Sequence, residues 1–324
     1  MKYLVFVTLF FVSIVGQANA QFDTGFVDQT SGISVSLSPT YPAPGERVTA
    51  TLDDYAIGSA FSTITWFLNG TEVSVAKNSR MMTFVAPALG EKLTITVKLT
   101  LPSGLTIEAS QSITPLYTDV IVEPQTYIPR QYQGRALPSI GSLVRATALV
   151  QDENGFINPA LHSYVWKLNG TAVGGGGRNN GFQVEYVVPY GRNHTLTVEV
   201  YDRTGQMLTR RGTNIQTEDV DLVLYEVNPL YGKSNIAIGG QLQFLSNTLQ
   251  LRAVPYNLDL RSTPQNTFSE WRLGNRAVAS DTTSPFDLTL ERTGQGKIPV
   301  NFKLRNRDAL LQGGEVSTSL NFGL

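Results

Sequence analysis

The sequence predicts an all-β protein made of three consecutive β-sandwich domains. The first observation is a motif that recurs at each of the three tryptophans, Trp66, Trp166 and Trp271. The chain has no other tryptophan, and the three are 100 and 105 residues apart, about the length of one small β-sandwich. The second observation is that 29 glycines and 16 prolines separate short alternating stretches, while no stretch shows a clear apolar period of 3.6 residues.

Each copy of the motif combines a strand pattern with a turn pattern. A leucine follows the tryptophan by two positions, which places both side chains on one face of a strand. Asn-Gly or Gly-Asn comes next and supplies the positive φ angles of a tight hairpin turn. The motif therefore favours a buried strand over the alternative, exposed tryptophans that stack on a sugar. The predicted core residues are Trp66, Leu68, Trp166, Leu168, Trp271 and Leu273.

The alternating stretches also predict where the domains begin and end. Each domain contains one long alternating strand late in its sequence, at Leu93–Leu99, Leu196–Val200 and Ile298–Leu304. The third domain is the most divergent, and we expect it to carry an added hairpin at Ile236–Phe244. The predicted domains are residues 21–115 with a polar lead-in at 21–31, residues 116–218, and residues 219–324.

Residues 1–20 have the features of an export signal peptide. Lys2 provides the positive start, an apolar run extends from Tyr3 to Val15, and Ala18-Asn-Ala20 is a small-x-small cleavage site. A retained membrane anchor is the alternative, but the run is shorter than the roughly 20 residues that a spanning helix needs. No later stretch is apolar enough to cross a bilayer. We therefore expect a secreted, periplasmic or cell-surface protein with no integral membrane segment after cleavage.

The composition excludes several classes of function. With 25 basic and 26 acidic residues the net charge is −1, so no nucleic-acid partner is expected. The absence of cysteine excludes disulfides, thiolate metal sites, cysteine nucleophiles and an N-terminal lipidated cysteine. In an exported protein it also favours a bacterial source. No cofactor is expected.

Three sequence features carry a resemblance to a known family. They are Pro-x-Pro-Gly-Glu-x-Val at residues 42–48, Trp-x-Leu-Asn-Gly at 66–70 and 166–170, and the later Leu-x-Ile/Val-x-Val strands. These features resemble bacterial Ig-like domains of the PKD type, over about residues 31–324. The usual PKD element is Trp-x-Phe-Gly-Asp-Gly, so the Leu-Asn-Gly of this chain leaves the subfamily open. The resemblance implies a tandem array that serves as a spacer, an adhesive unit or an accessory binding module.

The sequence offers little for catalysis or metal binding. His162 and His194 are the only histidines, neither has another ligand at metal-binding spacing, and no Gly-x-Ser-x-Gly elbow is present. We therefore expect no enzyme activity. Glu218, Asp219 and Asp221 are candidate calcium ligands at a domain junction. Because they do not form a full calcium-binding loop, a solvated acidic turn is the alternative.

One stretch of the second domain has no counterpart in the first. Tyr41 and Gly45 are 4 positions apart, whereas Tyr127 and Gly141 are 14 apart, which indicates an insertion at 128–138. Aromatic and arginine side chains, which are enriched at binding surfaces, occur together there. An ordinary long loop is the alternative. The candidate partner-binding residues are Tyr127, Arg130, Tyr132 and Arg135.

The sequence thus leads to one main hypothesis and one alternative. The main hypothesis is a non-enzymatic, exported structural or adhesive protein of the bacterial cell envelope that displays tandem Ig-like domains. The alternative is a carbohydrate- or peptide-binding module that works beside a partner enzyme or surface assembly. The expected partner is a protein or a glycan at the cell surface, and exposed edge strands also allow self-assembly.

Overall fold

The structure is a computed structural model that describes residues 32–54, 62–174, 181–263, 265–281 and 284–322. The described residues form β-strands, turns and two short 3-10 helices, Ser74–Ala76 and Pro159–Leu161. The all-β prediction is confirmed. The predicted signal peptide and polar lead-in lie outside the described residues. Among those that are described, no helix has the length and apolar character needed to cross a membrane.

Two sheets are built from residues 33–113. The strands are β1 Ile33–Ser38, β2 Arg47–Asp54, β3 Thr63–Leu68, β4 Thr71–Glu72, β5 Met81–Val85, β6 Leu93–Thr100 and β7 Thr106–Ile113. One sheet has the order β1-β2-β5 and the other the order β4-β3-β6-β7. Apolar residues alternate with polar ones along β2, β5 and β6, so one face of each of these strands is buried.

Residues 117–216 form a second pair of sheets. The strands are β8 Tyr117–Pro124, β9 Thr126–Tyr127, β10 Leu143–Asp152, β11 Gly155–Phe156, β12 Ser163–Leu168, β13 Thr171–Ala172, β14 Gln183–Val187, β15 Asn193–Tyr201 and β16 Met207–Gln216. In one sheet β10 pairs with β8, β11 and β14, and the other has the order β13-β12-β15-β16. The short strand β9 belongs to neither of them.

A third pair of sheets comes from residues 221–322. The strands are β17 Asp221–Asn228, β18 Gly232–Ala237, β19 Gln241–Gln243, β20 Thr248–Tyr256, β21 Leu258–Asp259, β22 Thr267–Leu273, β23 Arg276–Val278, β24 Asp287–Glu291, β25 Gly296–Asn306 and β26 Gly313–Phe322. The sheet orders are β18-β17-β20-β24 and β19-β26-β25-β22-β23. Strand β21 pairs with β9 instead.

The predicted hairpin at Ile236–Phe244 is wrong. β18 pairs with β17 in one sheet, whereas β19 pairs in parallel with β26 in the other. The two strands are joined by Gly239 and Gly240, whose carbonyls accept hydrogen bonds from β26. The glycine pair therefore carries the chain from one sheet to the other, a crossover that an alternating sequence pattern cannot distinguish from a turn.

Each tryptophan occupies an equivalent position in its own pair of sheets. Trp66 and Trp166 are fully buried, and Trp271 is 1% exposed. In every case the indole N–H donates to a backbone carbonyl 13 to 15 residues later, which satisfies the one polar atom of a buried indole. The accepting carbonyls belong to Ser79, Gly181 and Pro285 at 2.8, 3.2 and 3.2 Å.

The leucines and turns of the motif differ more than the tryptophans. Leu168 is buried, while Leu68 and Leu273 are half-buried. The first two copies have positive φ at both Asn and Gly, at residues 69–70 and 169–170, as a type I′ hairpin turn requires. In the third copy only Gly274 has positive φ, which is the pattern of a type II′ turn.

The chain divides into two compact units. One contains Thr49–Phe84, Thr94–Ser112 and the described residues up to Leu37, and the other contains Ser38–Val48, Val85–Leu93 and Ile113–Leu324. The second unit therefore holds both later pairs of sheets. The predicted domain borders stay predictions.

Candidate binding site at an anchored loop

The inserted stretch of residues 128–138, which we call the anchored loop, begins beside a contact between the second and third pairs of sheets. Just before it, Thr126 and Tyr127 of β9 pair antiparallel with Asp259 and Leu258 of β21. The N–H of Asn257 donates to the carbonyl of Tyr127 at 2.8 Å. Asn257 has φ +59, a left-handed conformation that asparagine tolerates better than most residues.

Hydrogen bonds also fix the other end of the anchored loop. The Thr126 hydroxyl donates to the carbonyl of Leu137 at 2.8 Å, which ties the two ends of the loop together. The N–H of Glu218 donates to the carbonyl of Pro138 at 2.9 Å. Within the loop, the N–H of Tyr132 donates to Pro129 at 3.0 Å. The insertion is therefore held at both ends and in its middle.

Next to the loop lies a polar cluster, the junction network, made of the buried Ser139, Asp259 and Gln312 and the half-exposed Arg261. The Gln312 amide donates to the Ser139 hydroxyl at 2.8 Å, and its oxygen accepts from the N–H of Asp259 at 3.0 Å. Gln312 is fully buried and Asp259 is 2% exposed. Buried polar groups of this kind stabilise a structure only when their hydrogen bonds are satisfied.

The carboxylate of Asp259 is the centre of the junction network. It accepts from the N–H of Leu143 at 2.6 Å and from the Arg261 guanidinium at 2.9 and 2.8 Å. Burial alone would raise the pKa of Asp259, but the hydrogen bonds from Arg261 and Leu143 together outweigh it and hold the pKa below its ordinary value. Asp259 is therefore a charged link between the start of β10 and β21.

A cluster of tyrosines extends from the anchored loop onto the third pair of sheets. The ring of Tyr132 meets the edge of Tyr256 with centroids 5.6 Å apart at 78°, a favourable edge-to-face arrangement. The hydroxyls of Tyr256 and Tyr225 are 2.6 Å apart, and Lys233 Nζ lies 4.0 Å from the Tyr225 ring centroid. The backbone of Gly134 lies under Tyr132, since a Cβ there would be 2.5 Å from the ring.

Burial shifts the pKa of two groups in this cluster, Tyr256 and Lys233. It raises the pKa of Tyr256 above the ordinary value, and the hydrogen bond with Tyr225 adds to the shift. Burial also lowers the pKa of Lys233, as does the nearby charge of Arg252. The Arg252 guanidinium is paired with Asp287 at 2.6 and 2.7 Å. The charge of Arg252 is therefore balanced by Asp287 at the inner side of the cluster.

The outer part of the site faces solvent. Tyr127 is 42% exposed and Tyr132 45% exposed, and Arg130 and Arg135 are exposed as well. Within the described part of the chain, neither arginine has an ion pair or hydrogen bond through its side chain. The four candidate residues therefore lie on one short segment, with the Tyr132 ring fixed by packing, the Tyr127 backbone fixed by strand pairing and two cations free to meet a ligand.

The candidate calcium ligands have a different environment. Asp219 Oδ2 lies 2.6 Å from the guanidinium of Arg192, and Glu218 Oε2 lies 4.0 Å from it. In the described ranges no group of three or more carboxylate or histidine side chains is placed to hold a metal ion. The geometry around Glu218, Asp219 and Asp221 therefore gives the calcium hypothesis no support.

Several residues of this site were not found by sequence reasoning. Asp259, Gln312 and Tyr256 lie in stretches with no repeated motif, and their partners are far away in sequence. Gln312 and Ser139, for example, are 173 positions apart. Asn257 gave the only local signal, since a single asparagine between apolar residues is compatible with a left-handed turn.

Comparisons with known proteins add only distant similarities. No family model matches the chain, and no curated protein matches it. The fibronectin(III)-like modules of Clostridium thermocellum CbhA are 14% identical, with 57% of this chain and 94% of that chain covered and a TM-score of 0.28. The three N-terminal domains of the bacteriophage RB49 Highly Immunogenic Outer Capsid protein are 13% identical, with 90% and 98% covered and a TM-score of 0.26.

A third solved structure is that of Bacteroides ovatus SGBP-B in complex with a mixed-linkage heptasaccharide. It is 14% identical, 86% of this chain and 64% of that chain are covered, and the TM-score is 0.23. At such scores the similarities carry no inference about the ligand or partner of this chain.

Proposed function

We propose that the protein is a non-enzymatic, exported structural or adhesive protein of the bacterial cell envelope. Its second and third sandwiches act as a scaffold that presents their surface loops in a fixed arrangement. The observation that carries this proposal is the junction network with the β9–β21 pairing, which joins residues 117–216 to residues 221–322 inside one compact unit. Buried hydrogen bonds and strand pairing limit relative movement far more than a flexible linker does.

A distance measurement tests the scaffold. The chain contains no cysteine, so spin labels can be attached at Arg203→Cys and Arg276→Cys. Both positions are exposed; the first lies between β15 and β16 in the second pair of sheets, and the other lies in β23 in the third. We expect one narrow distance distribution by pulsed electron resonance. Adding Asp259→Ala should broaden it. A distribution that is broad before this substitution would contradict the scaffold proposal.

Adhesion and export need their own test. Beads coated with the full chain should be retained on bacterial envelope fractions, and beads coated with a variant lacking Arg130–Ala136 should not. Equal melting temperatures of the two proteins would show that the deletion leaves the fold intact. Unchanged retention would exclude the anchored loop as the contact surface. A chain that stays in the cytoplasm when it is produced with residues 1–20 would refute export.

A second candidate function is a carbohydrate- or peptide-binding module beside a partner enzyme or surface assembly. The half-exposed rings of Tyr127 and Tyr132 favour it, because aromatic side chains with few rotatable bonds bind ligands at low entropic cost. The packing of Tyr132 against Tyr256 distinguishes the anchored loop from an ordinary mobile loop. A screen of glycans and peptides against the full chain tests this function.

Self-assembly through edge strands is the remaining proposal for a partner. The edge strand β16 is ten residues long, and among the described strands it pairs with β15 alone. It carries the exposed Arg210 and Arg211, and charged side chains on an edge strand oppose pairing with another chain. The geometry of this edge therefore favours a partner other than a second copy.

A further inference from the structure

The anchored loop is a positively charged segment of a slightly acidic protein. Residues 128–138 contain two arginines and no acidic residue, whereas the whole chain has a net charge of −1. Two arginines near the loop are already paired, Arg252 of β20 with Asp287 and Arg261 of the junction network with Asp259. Arg130 and Arg135 are thus the cations of this region that have no partner among the residues described.

Two free arginines beside two half-exposed tyrosine rings, of which Tyr132 is fixed by packing, limit the chemistry of the ligand. A guanidinium binds a planar carboxylate through two parallel hydrogen bonds. A half-exposed tyrosine offers an apolar ring face and a polar hydroxyl, which together fit the apolar face and hydroxyl edge of a sugar ring. A ligand that carries both sugar rings and carboxylates satisfies the two requirements at once.

A peptide ligand fits the loop less well. Extended peptides are recognised mainly through main-chain hydrogen bonds to the free edge of a strand. Residues 128–138 contain no strand, and the Leu137 carbonyl and the Tyr132 N–H are already hydrogen-bonded within the protein. Side chains are therefore the recognition groups that the anchored loop has available.

We propose that the anchored loop binds a carboxylate-bearing polysaccharide, with Tyr127 and Tyr132 against sugar rings and Arg130 and Arg135 paired with the carboxylates. This assignment rests on the second candidate function and names its ligand class. The loop is organised for binding before the ligand arrives, because Tyr132 is fixed between Tyr256 and the backbone of Gly134. Such preorganisation lowers the entropy lost on binding.

Titration calorimetry with the full chain and three probes tests the ligand class. The probes are polygalacturonate, the same polymer with its carboxylates methyl-esterified, and polyglutamate. We expect polygalacturonate to bind, with an affinity that falls as salt is added, since ion pairs are screened by salt. The esterified polymer and polyglutamate should bind at least about tenfold more weakly.

Substitutions locate the site. Arg130→Gln with Arg135→Gln should weaken polygalacturonate binding by about tenfold or more, and Tyr132→Ala should do the same. Gly134→Val keeps every proposed contact residue but displaces the Tyr132 ring, so it should also weaken binding. The matched control is Arg203→Gln with Arg276→Gln, which removes the same charge from exposed positions outside the loop and should leave the affinity unchanged.

The outcomes separate this inference from the function on which it rests. Equal binding of the esterified polymer would overturn the acidic ligand class and leave a glycan-binding module. Binding of polyglutamate alone would assign an acidic peptide instead. An equal loss in the control pair would show non-specific charge attraction and overturn the site. If none of the probes or screened ligands binds, both the inference and the second candidate function fail, while the scaffold proposal still depends on the spin-label distances.

Discussion

The first and second sandwiches begin their second long strand in the same way. In the first, the N–H of Gly45 donates to the carbonyl of Ala86, and the N–H of Ala86 donates back to the residue that follows Gly45. In the second, Gly141 and Val188 form the same pair of bonds. Both glycines have positive φ, +74° and +83°, which explains why this position carries glycine in both copies.

The two copies differ in the segment that precedes the glycine, which is Gly45 in the first copy and Gly141 in the second. In the first copy it is a short, proline-rich turn, and in the second it is the anchored loop. The inserted residues leave the start of the strand unchanged and contact the third pair of sheets through Tyr132 and Tyr256. The difference shows that a sandwich can gain an interface by lengthening one connection, provided that the hydrogen bonds at the strand start are preserved.

A second difference concerns the residue just before Thr94 in the first copy and Thr195 in the second, the two threonines whose N–H groups donate to the turn asparagines. The first copy has Leu93 there, and the second has His194, which is 3% exposed. The Asn169 amide group donates to Nδ1 of His194 at 3.0 Å, since its oxygen already accepts from Thr195. This network assigns the ring hydrogen to Nε2, which is buried and has no hydrogen-bond partner among the described residues.

The largest expected effect is a loss of stability at the β9–β21 contact when the junction network is disrupted. Asp259→Ala removes the acceptor of Leu143 and the partner of Arg261, and leaves a buried N–H unsatisfied. We expect the local stability of the β9–β21 contact to fall by about 3 kcal/mol, so that its amides exchange about a hundredfold faster. Hydrogen exchange measured by mass spectrometry checks this. The amide of Gly45 in the first copy is the internal control, and a uniform change at both places would contradict a local role.

Acid should weaken the same contact to a smaller extent, because protonation removes the charge but leaves the side chain in place. The folded pKa of Asp259 lies below its ordinary value of 3.8. The ionised carboxylate therefore stabilises the fold above that value, and the stabilisation is lost as the pH falls through the folded pKa. Protection of the β21 amides, corrected for the intrinsic exchange rate at each pH, should fall below about pH 4 more in the natural chain than in Asp259→Asn. An equal fall in both would assign the effect to other carboxylates.

The smallest expected effect is a gain in stability at His194. His194→Leu copies the residue of the first sandwich and removes the unsatisfied Nε2–H, whose burial costs free energy. The loss of the bond from Asn169 offsets part of the gain, so we expect stabilisation of at most about 1 kcal/mol. Urea unfolding followed by tryptophan fluorescence measures it. The matched variant Leu93→His should destabilise the first copy, and destabilisation by His194→Leu would show that the histidine is satisfied.

The sequence by itself determined the repeated frame of this protein. Alternation around Trp66, Trp166 and Trp271 indicates buried strands, because side-chain direction in a strand depends only on local position. Asn-Gly at 69–70 and 169–170 indicates hairpin turns for the same local reason. The insertion before Gly141 was visible as well, since two copies of a repeat can be compared residue by residue.

Only the tertiary structure decided how the insertion is used. The pairing of Tyr127 with Leu258, the contact of Tyr132 with Tyr256 and the burial of Gln312 against Ser139 join residues that are more than a hundred positions apart. Local periodicity reports which face of a strand is buried but not which distant segment covers it. The crossover at Gly239–Gly240 was missed for the same reason, because the choice between two sheets depends on packing and not on the alternation of neighbouring residues.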